Sequence, residues 1–123
     1  MKGRIEHVNL TVSNAERSAG LLSALCGWHR RWQGPAMNGG HAIHLGDADD
    51  YIAFYTPKEG ASGPFPPSRP FNHVGLVVDD LDRADAIVTG AGLTSYSHDD
   101  YNPGRRFYFR DWDDIEWEVV SYA

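Results

Sequence analysis

The sequence predicts an α+β fold in which two βαβββ repeats form a curved mixed sheet around a cavity. Residues 5–17 and 71–83 share the pattern His-Val-x-Leu-x-Val, followed at matching offsets by a polar pair, an acid and an arginine. Each of these segments changes from the period of a strand to the period of a helix. A stretch rich in Pro and Gly separates them over residues 57–70 and excludes a helix interior or central strand there. A repeated strand-to-helix unit on either side of a linker indicates two copies of one supersecondary structure.

The first repeat begins with a strand and a helix. Val8, Leu10 and Val12 alternate with polar residues, as in a strand with one buried face. The segment Ser-Asn-Ala-Glu at 13–16 matches a capping box, and the helix that it opens is expected to end at Gly27. Three further strands are expected over residues 28–34, 41–46 and 50–56.

The second repeat follows the same order of elements. Val74, Leu76 and Val78 alternate along its first strand. Either Asp79 or Asp80 is expected to cap a helix over residues 81–91, which stops before Gly92. Strands are then expected over residues 93–98, 105–111 and 114–122, with a hairpin turn at Asp-Trp-Asp-Asp, residues 111–114.

These elements predict one domain over residues 1–123. Repeat one takes residues 1–56, the linker residues 57–70 and repeat two residues 71–123. Neither half is long enough to bury a comfortable core alone, so the halves are expected to share one. The sharing can occur within a chain or between two chains.

Composition excludes several classes of protein. No apolar run in the 123 residues approaches the roughly 20 residues that span a bilayer. The 11 basic and 17 acidic side chains give a net charge of -6, which repels nucleic acid and anionic lipid. The N-terminal residues lack the apolar core of a secretory signal, and the single cysteine, Cys26, cannot form an internal disulfide. Both features predict a cytoplasmic protein.

Strand parity decides where the polar residues of the first and last strands point. If Val8 and Leu10 pack on the helix, His7 and Asn9 lie on the opposite, concave side of the sheet. His73 does the same in the second repeat, and Glu118 alternates with buried Trp and Val residues on the last strand. Sequence periodicity therefore aims two imidazoles and one carboxylate at a cavity.

These features resemble the vicinal oxygen chelate superfamily, which includes glyoxalases, extradiol dioxygenases, and fosfomycin and bleomycin resistance proteins. The resemblance covers essentially the whole chain. It rests on the paired His-Val-x-Leu-x-Val strands and on the closing segment from Tyr108 to Glu118, which is similar to the family's Tyr-x-x-Asp-Pro-x-Gly-x-x-x-Glu signature. Trp112 replaces the usual proline and Asp114 the usual glycine, without changing the spacing.

The resemblance implies a divalent metal held by His7, His73 and Glu118. The family's fourth ligand position falls on Ala53 or Phe54, neither of which binds a metal. Two imidazoles and a carboxylate form a facial triad with open positions, which Fe, Mn, Zn or Ni would accept. The implied protein is a metal-dependent lyase or isomerase of the glyoxalase type, or an extradiol-type dioxygenase, whose metal chelates vicinal oxygens of a small substrate.

A metal-free binding or sequestering protein of the bleomycin resistance type is the alternative. In that case the aromatic residues would line or support an apolar groove: Trp28, Trp32, Tyr55, Trp112 and Trp117. A homodimer is expected in either case, because single-chain two-repeat members of the superfamily commonly build their cavities at a dimer interface.

Further candidates lie around the implied metal. Tyr108 occupies the signature position whose hydroxyl contacts a metal-bound substrate oxygen, and Arg106 shares its face and could pair with a substrate carboxylate. His98 lies one residue outside the usual dioxygenase spacing from Tyr108. Three residues are candidates for the substrate pocket: Asn9, Tyr55 and Tyr101.

Overall fold

The computed structural model describes residues 1–60, 63, 66, 71–101 and 104–123, with Tyr101 described by its backbone alone. The chain divides into two compact units, Met1–Ser62 and Gly63–Ala123, and the division falls inside the predicted linker. Among the described residues, no helix has the length and apolar character needed to cross a membrane.

The first unit is a four-stranded mixed sheet with one helix packed on it. Its elements are β1 (His7–Thr11), α1 (Ala15–Cys26), β2 (His29–Pro35), a 3₁₀ turn (Met37–Gly39), β3 (His41–Gly46) and β4 (Tyr51–Thr56). The strand order is β1-β4-β3-β2, with β1 parallel to β4 and the other pairs antiparallel. Helix α1 covers the face that carries the buried side chains of Leu10, Ile43 and Phe54, so the opposite face is free for polar groups.

The N-terminus of α1 differs from the predicted capping box. Asn14, not Ser13, is the N-cap, and its side-chain oxygen accepts a hydrogen bond from the backbone N–H of Arg17 at 3.1 Å. The Ser13 hydroxyl instead accepts from the Arg17 guanidinium, and Glu16 pairs with Arg30 on β2. The end of the helix is as predicted, because Gly27 adopts a left-handed conformation with φ 68° and donates to Ser23.

The second unit repeats this architecture. It contains β5 (His73–Val77), α2 (Leu81–Gly90), β6 (Ser95–Tyr101), β7 (Gly104–Arg110) and β8 (Glu116–Ser121), in the sheet order β5-β8-β7-β6. Asp80 caps α2 by accepting from the backbone N–H of Arg83. Both units are therefore βαβββ repeats with mixed sheets, and the predicted fold class is confirmed.

Asp111 ties the turn between β7 and β8 together. Its carboxylate is buried and accepts from the backbone N–H groups of Asp113 and Ile115 and from the indole N–H of Trp117. Burial raises the pKa of Asp111, although these three donors act in the opposite direction. Asp114 adopts a positive φ of 61°, the conformation that favours glycine in such a turn. The predicted hairpin at residues 111–114 is confirmed, and it fixes the start of the strand that carries Glu118.

Candidate metal centre

Glu118 on β8 lies at the centre of a polar cluster on the face of the second sheet that α2 does not cover. Its Oε2 accepts from the Tyr108 hydroxyl at 3.0 Å and from the Arg106 guanidinium at 3.1 Å. Its Oε1 lies 3.5 Å from Nε2 of His73. The glutamate and the arginine are largely buried, with side chains 15% and 14% exposed. One oxygen of the carboxylate is thus fixed by donors while the other faces an imidazole.

The preceding residue fixes the tautomer of His73. The Oδ1 of Asn72 lies 2.8 Å from Nδ1 of His73, and an amide oxygen only accepts, so Nδ1 carries the proton. In the neutral form of the imidazole the lone pair is then on Nε2, the nitrogen that faces Glu118. Two electron-rich atoms that bind one ion at about 2.0–2.2 Å each lie about 3–3.5 Å apart, which matches the observed separation.

A cavity of about 260 Å³ opens beside His73. Glu116 forms one wall of it, accepting a very short hydrogen bond from the Tyr96 hydroxyl and lying 3.5 Å from the Arg110 guanidinium. Burial and this hydrogen bond raise the pKa of Tyr96 to about 12, so its hydroxyl remains a donor at neutral pH. The cavity is lined by Asn72, His73, Tyr96, Ser97, Tyr108 and Glu116.

In the first unit, His7 is the end of a row of stacked rings across the sheet. Its imidazole stacks on Tyr51 at 4.8 Å, Tyr51 stacks on His44 at 4.7 Å, and Trp32 is tilted against His44 at 5.0 Å. Burial, His7 and Arg31 lower the pKa of His44, so the imidazole of His44 is neutral at pH 7.

The preceding residue fixes the tautomer of His7 as well. Glu6 Oε1 lies 2.8 Å from Nδ1, and a carboxylate oxygen accepts, so in the neutral form of the imidazole the lone pair is on Nε2. His7 and His73 therefore share both a position in the repeat and a hydrogen-bond pattern, because each Nδ1 contacts a side-chain oxygen of the residue before it. Such a hydrogen bond is the usual partner of a metal-binding histidine.

Strand register shows which residues of the two units are equivalent. His7 pairs with Tyr51 and His73 with Glu116, and the next pairs on the same faces are Asn9 with Ala53 and Gly75 with Glu118. The antiparallel pairs then equate His44 with Tyr108, and Trp32 with Tyr96. The ring row of the first unit therefore occupies the positions that line the cavity of the second unit.

The two units distribute bulk differently around the carboxylate position. A Cβ at Gly75 would lie 3.6 Å from Glu118 Oε1, so glycine leaves this oxygen uncovered. In the first unit the residue opposite is the small Ala53, and the larger Asn9 stands where glycine stands in the second. Ala53 is the residue equivalent to Glu118, which resolves the choice between Ala53 and Phe54 for the empty ligand position.

The catalytic candidates separate into two groups. Arg106 and Tyr108 both contact Glu118, as their shared strand face predicts. His98 lies on the other side of the sheet, where it contacts Asp85 of α2 at 3.2 Å and stacks on the buried ring of Phe107. A bulge between Tyr96 and Asp99 reverses the parity of β6 and moves His98 away from Glu118.

The pocket candidates also differ in their placement. Asn9 lies on the same face of β1 as His7, two residues along the strand. Tyr55 lies further along that face of β4, where its hydroxyl donates to the carbonyl of Met37. The side chain of Tyr101 lies outside the described residues. Trp117, expected to support an apolar groove, is instead fully buried on the helix side, so it cannot line the face that carries Glu118.

The row of rings adds two residues, His44 and Tyr51, to the site residues expected from the sequence. Both lie on the face of His7, but their contacts depend on how β3 and β4 pair, and a single strand contains no register information. The alternation of side chains along β4 is the signal that could have found Tyr51. Tyr51 lies two residues before Ala53 and therefore on the same face, and Ala53 is already aligned to a ligand position.

Comparison with known proteins assigns the family. A profile of the Glyoxalase/Bleomycin resistance protein/Dioxygenase superfamily matches residues 4–119, so the chain belongs to that superfamily. A search of curated protein sequences found no match.

Solved structures share the fold at low sequence identity. A glyoxylase/bleomycin resistance protein/dioxygenase domain from Frankia sp. EAN1pec is 21% identical, with a TM-score of 0.81 over 98% of this chain and 93% of the other. The fosfomycin resistance protein FosX from Mesorhizobium loti is 21% identical, with a TM-score of 0.75 over 98% and 92%. FosX from Listeria monocytogenes, solved with Mn(II) and sulfate, is 15% identical, with a TM-score of 0.76 over 98% and 93%.

The donor atoms described above fit a divalent cation. Among residues 1–60, 63, 66, 71–101 and 104–123, no three His, Cys, Asp or Glu side chains group to hold a metal ion. The second unit nevertheless brings Nε2 of His73 to 3.5 Å from the uncovered Oε1 of Glu118, beside a glycine that leaves space for a third atom. Imidazole and carboxylate together suit Mn, Fe, Zn or Ni.

Proposed function

We propose that the protein is a metal-dependent enzyme of the glyoxalase/dioxygenase type, with one divalent ion held by His7, His73 and Glu118. The observation that carries the proposal is the matched state of the two histidines. Each is held through Nδ1 by an oxygen of the preceding residue, which leaves Nε2 as the ring nitrogen for a ligand bond. Glu118 supplies the negative charge that two neutral imidazoles lack.

When bound, the ion would supply a Lewis acid that polarises two adjacent oxygens of a small substrate. The residues around it have separate tasks. Arg106 and Tyr108 hold Glu118 Oε2 and so keep Oε1 turned toward His73. Tyr96 and Arg110 hold Glu116 at the wall of the cavity, which at about 260 Å³ admits a small molecule.

Two solved structures of one similar protein support a metal and a small oxygen-bearing substrate. FosX from Listeria monocytogenes was solved with Mn(II) and sulfate, and a mutant of it with Mn(II) and 1S,2S-dihydroxypropylphosphonic acid. The second compound, by its name, carries hydroxyl groups on adjacent carbons. A substrate with vicinal oxygens is accordingly proposed for this chain, with the reaction either lyase or isomerase chemistry or dioxygenation.

Metal titration of matched variants tests the proposal. In calorimetry we expect the wild-type protein to bind one Mn(II) for each set of His7, His73 and Glu118. Glu118→Gln should lower the Mn(II) affinity by about a hundredfold or more, because it removes the negative charge and keeps the shape of the side chain. His7→Gln and His73→Gln should lose affinity similarly. The matched controls are His29→Gln and Glu59→Gln, both exposed residues outside the cluster, which should bind as wild type does.

The outcomes separate the enzyme from a metal-free binding module. Unchanged Mn(II) affinity in Glu118→Gln would reject the proposed ligand set, and loss in His73→Gln without loss in His7→Gln would remove His7 from it. Thermal unfolding in chelator shows whether each variant still folds. Absence of any bound divalent metal in protein purified without chelators would favour a binding protein.

We also propose that the protein acts as a homodimer. Each sheet ends in two edge strands, β1 and β2 in the first unit and β5 and β6 in the second. Exposed edges invite pairing with another strand, and a second copy is the simplest partner. Sedimentation at micromolar concentration should give the mass of two chains, and a species with the mass of one chain would contradict the proposal.

A further inference from the structure

Strand β2 contains a bulge at Arg31. Arg30 pairs with Leu45 and Trp32 pairs with His44, which are consecutive residues of β3, so Arg31 is an additional residue without a partner in the ladder. A bulge of this kind redirects side chains that strict alternation would send to opposite faces. Here it frees Arg31 from the alternation and lets its side chain lie on the same face as Trp32.

The bulge gives two neighbouring arginines different environments. Arg30 lies on the helix side and donates to Glu16 of α1 at 2.6 Å. The guanidinium carbon of Arg31 lies 4.6 Å from the centroid of the Tyr51 ring, on which the imidazole of His7 stacks. At most one phenol ring therefore separates the Arg31 guanidinium from His7, a proposed metal ligand.

The Arg31 guanidinium has donors to spare. No carboxylate among the described residues forms an ion pair with it, in contrast to Arg30, Arg105, Arg106 and Arg110. A guanidinium that lies over a ring uses its π face and keeps the N–H groups at its edge for an acceptor. The side chain is exposed, so an acceptor from solution can reach it. In a chain of net charge -6, such a group is a local site of attraction for anions.

Trp32 adds an apolar surface beside this cation. Trp32 is 47% exposed, and its ring is supported from one side by His44. An exposed indole next to a guanidinium offers an apolar wall and a charged donor together, which is how protein sites fix the orientation of small anionic ligands.

We propose that Arg31 is a substrate-binding residue that selects an oxyanion (carboxylate, phosphate or phosphonate), while Trp32 packs against an apolar or planar part of the same molecule. The inference rests on the proposed function, because it places this molecule beside His7. The substrate class is then a small anionic compound, and Arg31 determines its specificity.

Binding of simple probes tests the inference. Phenylphosphonate and benzoate combine a ring with an oxyanion, benzyl alcohol has the ring alone, and inorganic phosphate has the anion alone. We expect Arg31→Gln to weaken phenylphosphonate binding by about ten- to a hundredfold, the usual effect of losing a charge-assisted hydrogen bond. Arg31→Lys should fall between, because it keeps the charge and loses the planar fork. The matched control is Arg30→Gln, which removes an equal charge one residue away.

Each outcome decides for or against the inference. Wild-type affinity in Arg31→Gln, equal losses in Arg30→Gln and Arg31→Gln, or no binding of either aryl oxyanion to wild type at millimolar concentration would overturn it. Trp32→Ala should lower the affinity for phenylphosphonate more than the affinity for inorganic phosphate. An equal loss of affinity for both would show that Trp32 does not contact the ring of the ligand. Benzyl alcohol binding should not depend on Arg31.

Two conditions separate this inference from the proposed function. The titrations are run in chelator and again with Mn(II), together with a Mn(II) titration of each variant. Arginine-dependent anion binding in chelator, with no Mn(II) bound by wild type, would support the anion site and reject the metal site. Normal Mn(II) binding in Arg31→Gln with unchanged probe affinity would reject the anion site alone.

Discussion

Removal of a single hydroxyl from Tyr108 should weaken metal binding without touching a ligand. Tyr108 OH and Arg106 are the two donors that hold Glu118 Oε2, at 3.0 and 3.1 Å. A hydrogen bond to a charged group contributes about 1.5–3 kcal/mol, and tenfold in affinity corresponds to about 1.4 kcal/mol. Tyr108→Phe keeps the ring that packs edge-on against His73, so the loss should come from the hydroxyl alone.

The expected result is a ten- to hundredfold fall in Mn(II) affinity, which is also the usual effect of removing a residue that orients a ligand. Calorimetric titration of Tyr108→Phe against Tyr96→Phe measures it. Tyr96 is a matched tyrosine whose hydroxyl donates to Glu116 rather than to Glu118, so its loss should change Mn(II) affinity by less than about threefold. Equal losses in both variants, or no loss in Tyr108→Phe where Glu118→Gln loses affinity, would refute the assignment of Tyr108 as the residue that positions Glu118.

Three further predictions concern stability and reactivity. Asp111→Asn should lower the free energy of unfolding by about 1–3 kcal/mol, measured in urea, because the amide N–H would face the indole N–H of Trp117; an unchanged midpoint would show that the turn does not need the carboxylate. Burial raises the pKa of the Cys26 thiol from 9.0 to about 11. Iodoacetamide at pH 8 should therefore alkylate the folded protein about a hundredfold more slowly than the unfolded chain, because less thiolate is present. The free energy of unfolding should also decline as the pH rises from 9 to 11, since the folded state binds the thiol proton more tightly than the unfolded chain does. Gly46→Ala should lower the melting temperature, since a Cβ there overlaps backbone of the β3–β4 hairpin, whereas Gly20→Ala on the exposed side of α1 has open space and should raise it.

Periodicity predicts the elements and the faces of this fold well. The placement of His7, His73 and Glu118 on the face away from the helices follows from a period of two along three strands, and burial of Leu10, Trp117 and their neighbours enforces it. The capping-box pattern places the N-cap of α1 one residue early, at Ser13, because Ser13 and Asn14 are both good caps. Only the packed position of the helix distinguishes them.

Bulges account for what periodicity missed. The bulge in β6 sends His98 to the helix side, and the bulge in β2 brings Arg31 to the face of His7. Each bulge adds a residue on one strand only, so beyond it the side chains that would have pointed to one face of the sheet point to the other. The position of a bulge depends on the partner strand, which is distant in sequence, and so the sequence of one strand does not reveal it.

The opposite distribution of bulk in the two units limits how this scaffold can change. Asn9 faces the small Ala53, and Gly75 faces the large Glu118, so each pair holds one small and one large side chain. The single substitution Ala53→Glu would place a large side chain in the space that the side chain of Asn9 occupies. Introduced together with Asn9→Gly, it would find the same space that Glu118 has, so the two changes should be strongly non-additive. A gain of an acid at position 53 thus requires a smaller residue at position 9, so substitutions at these two positions are coupled.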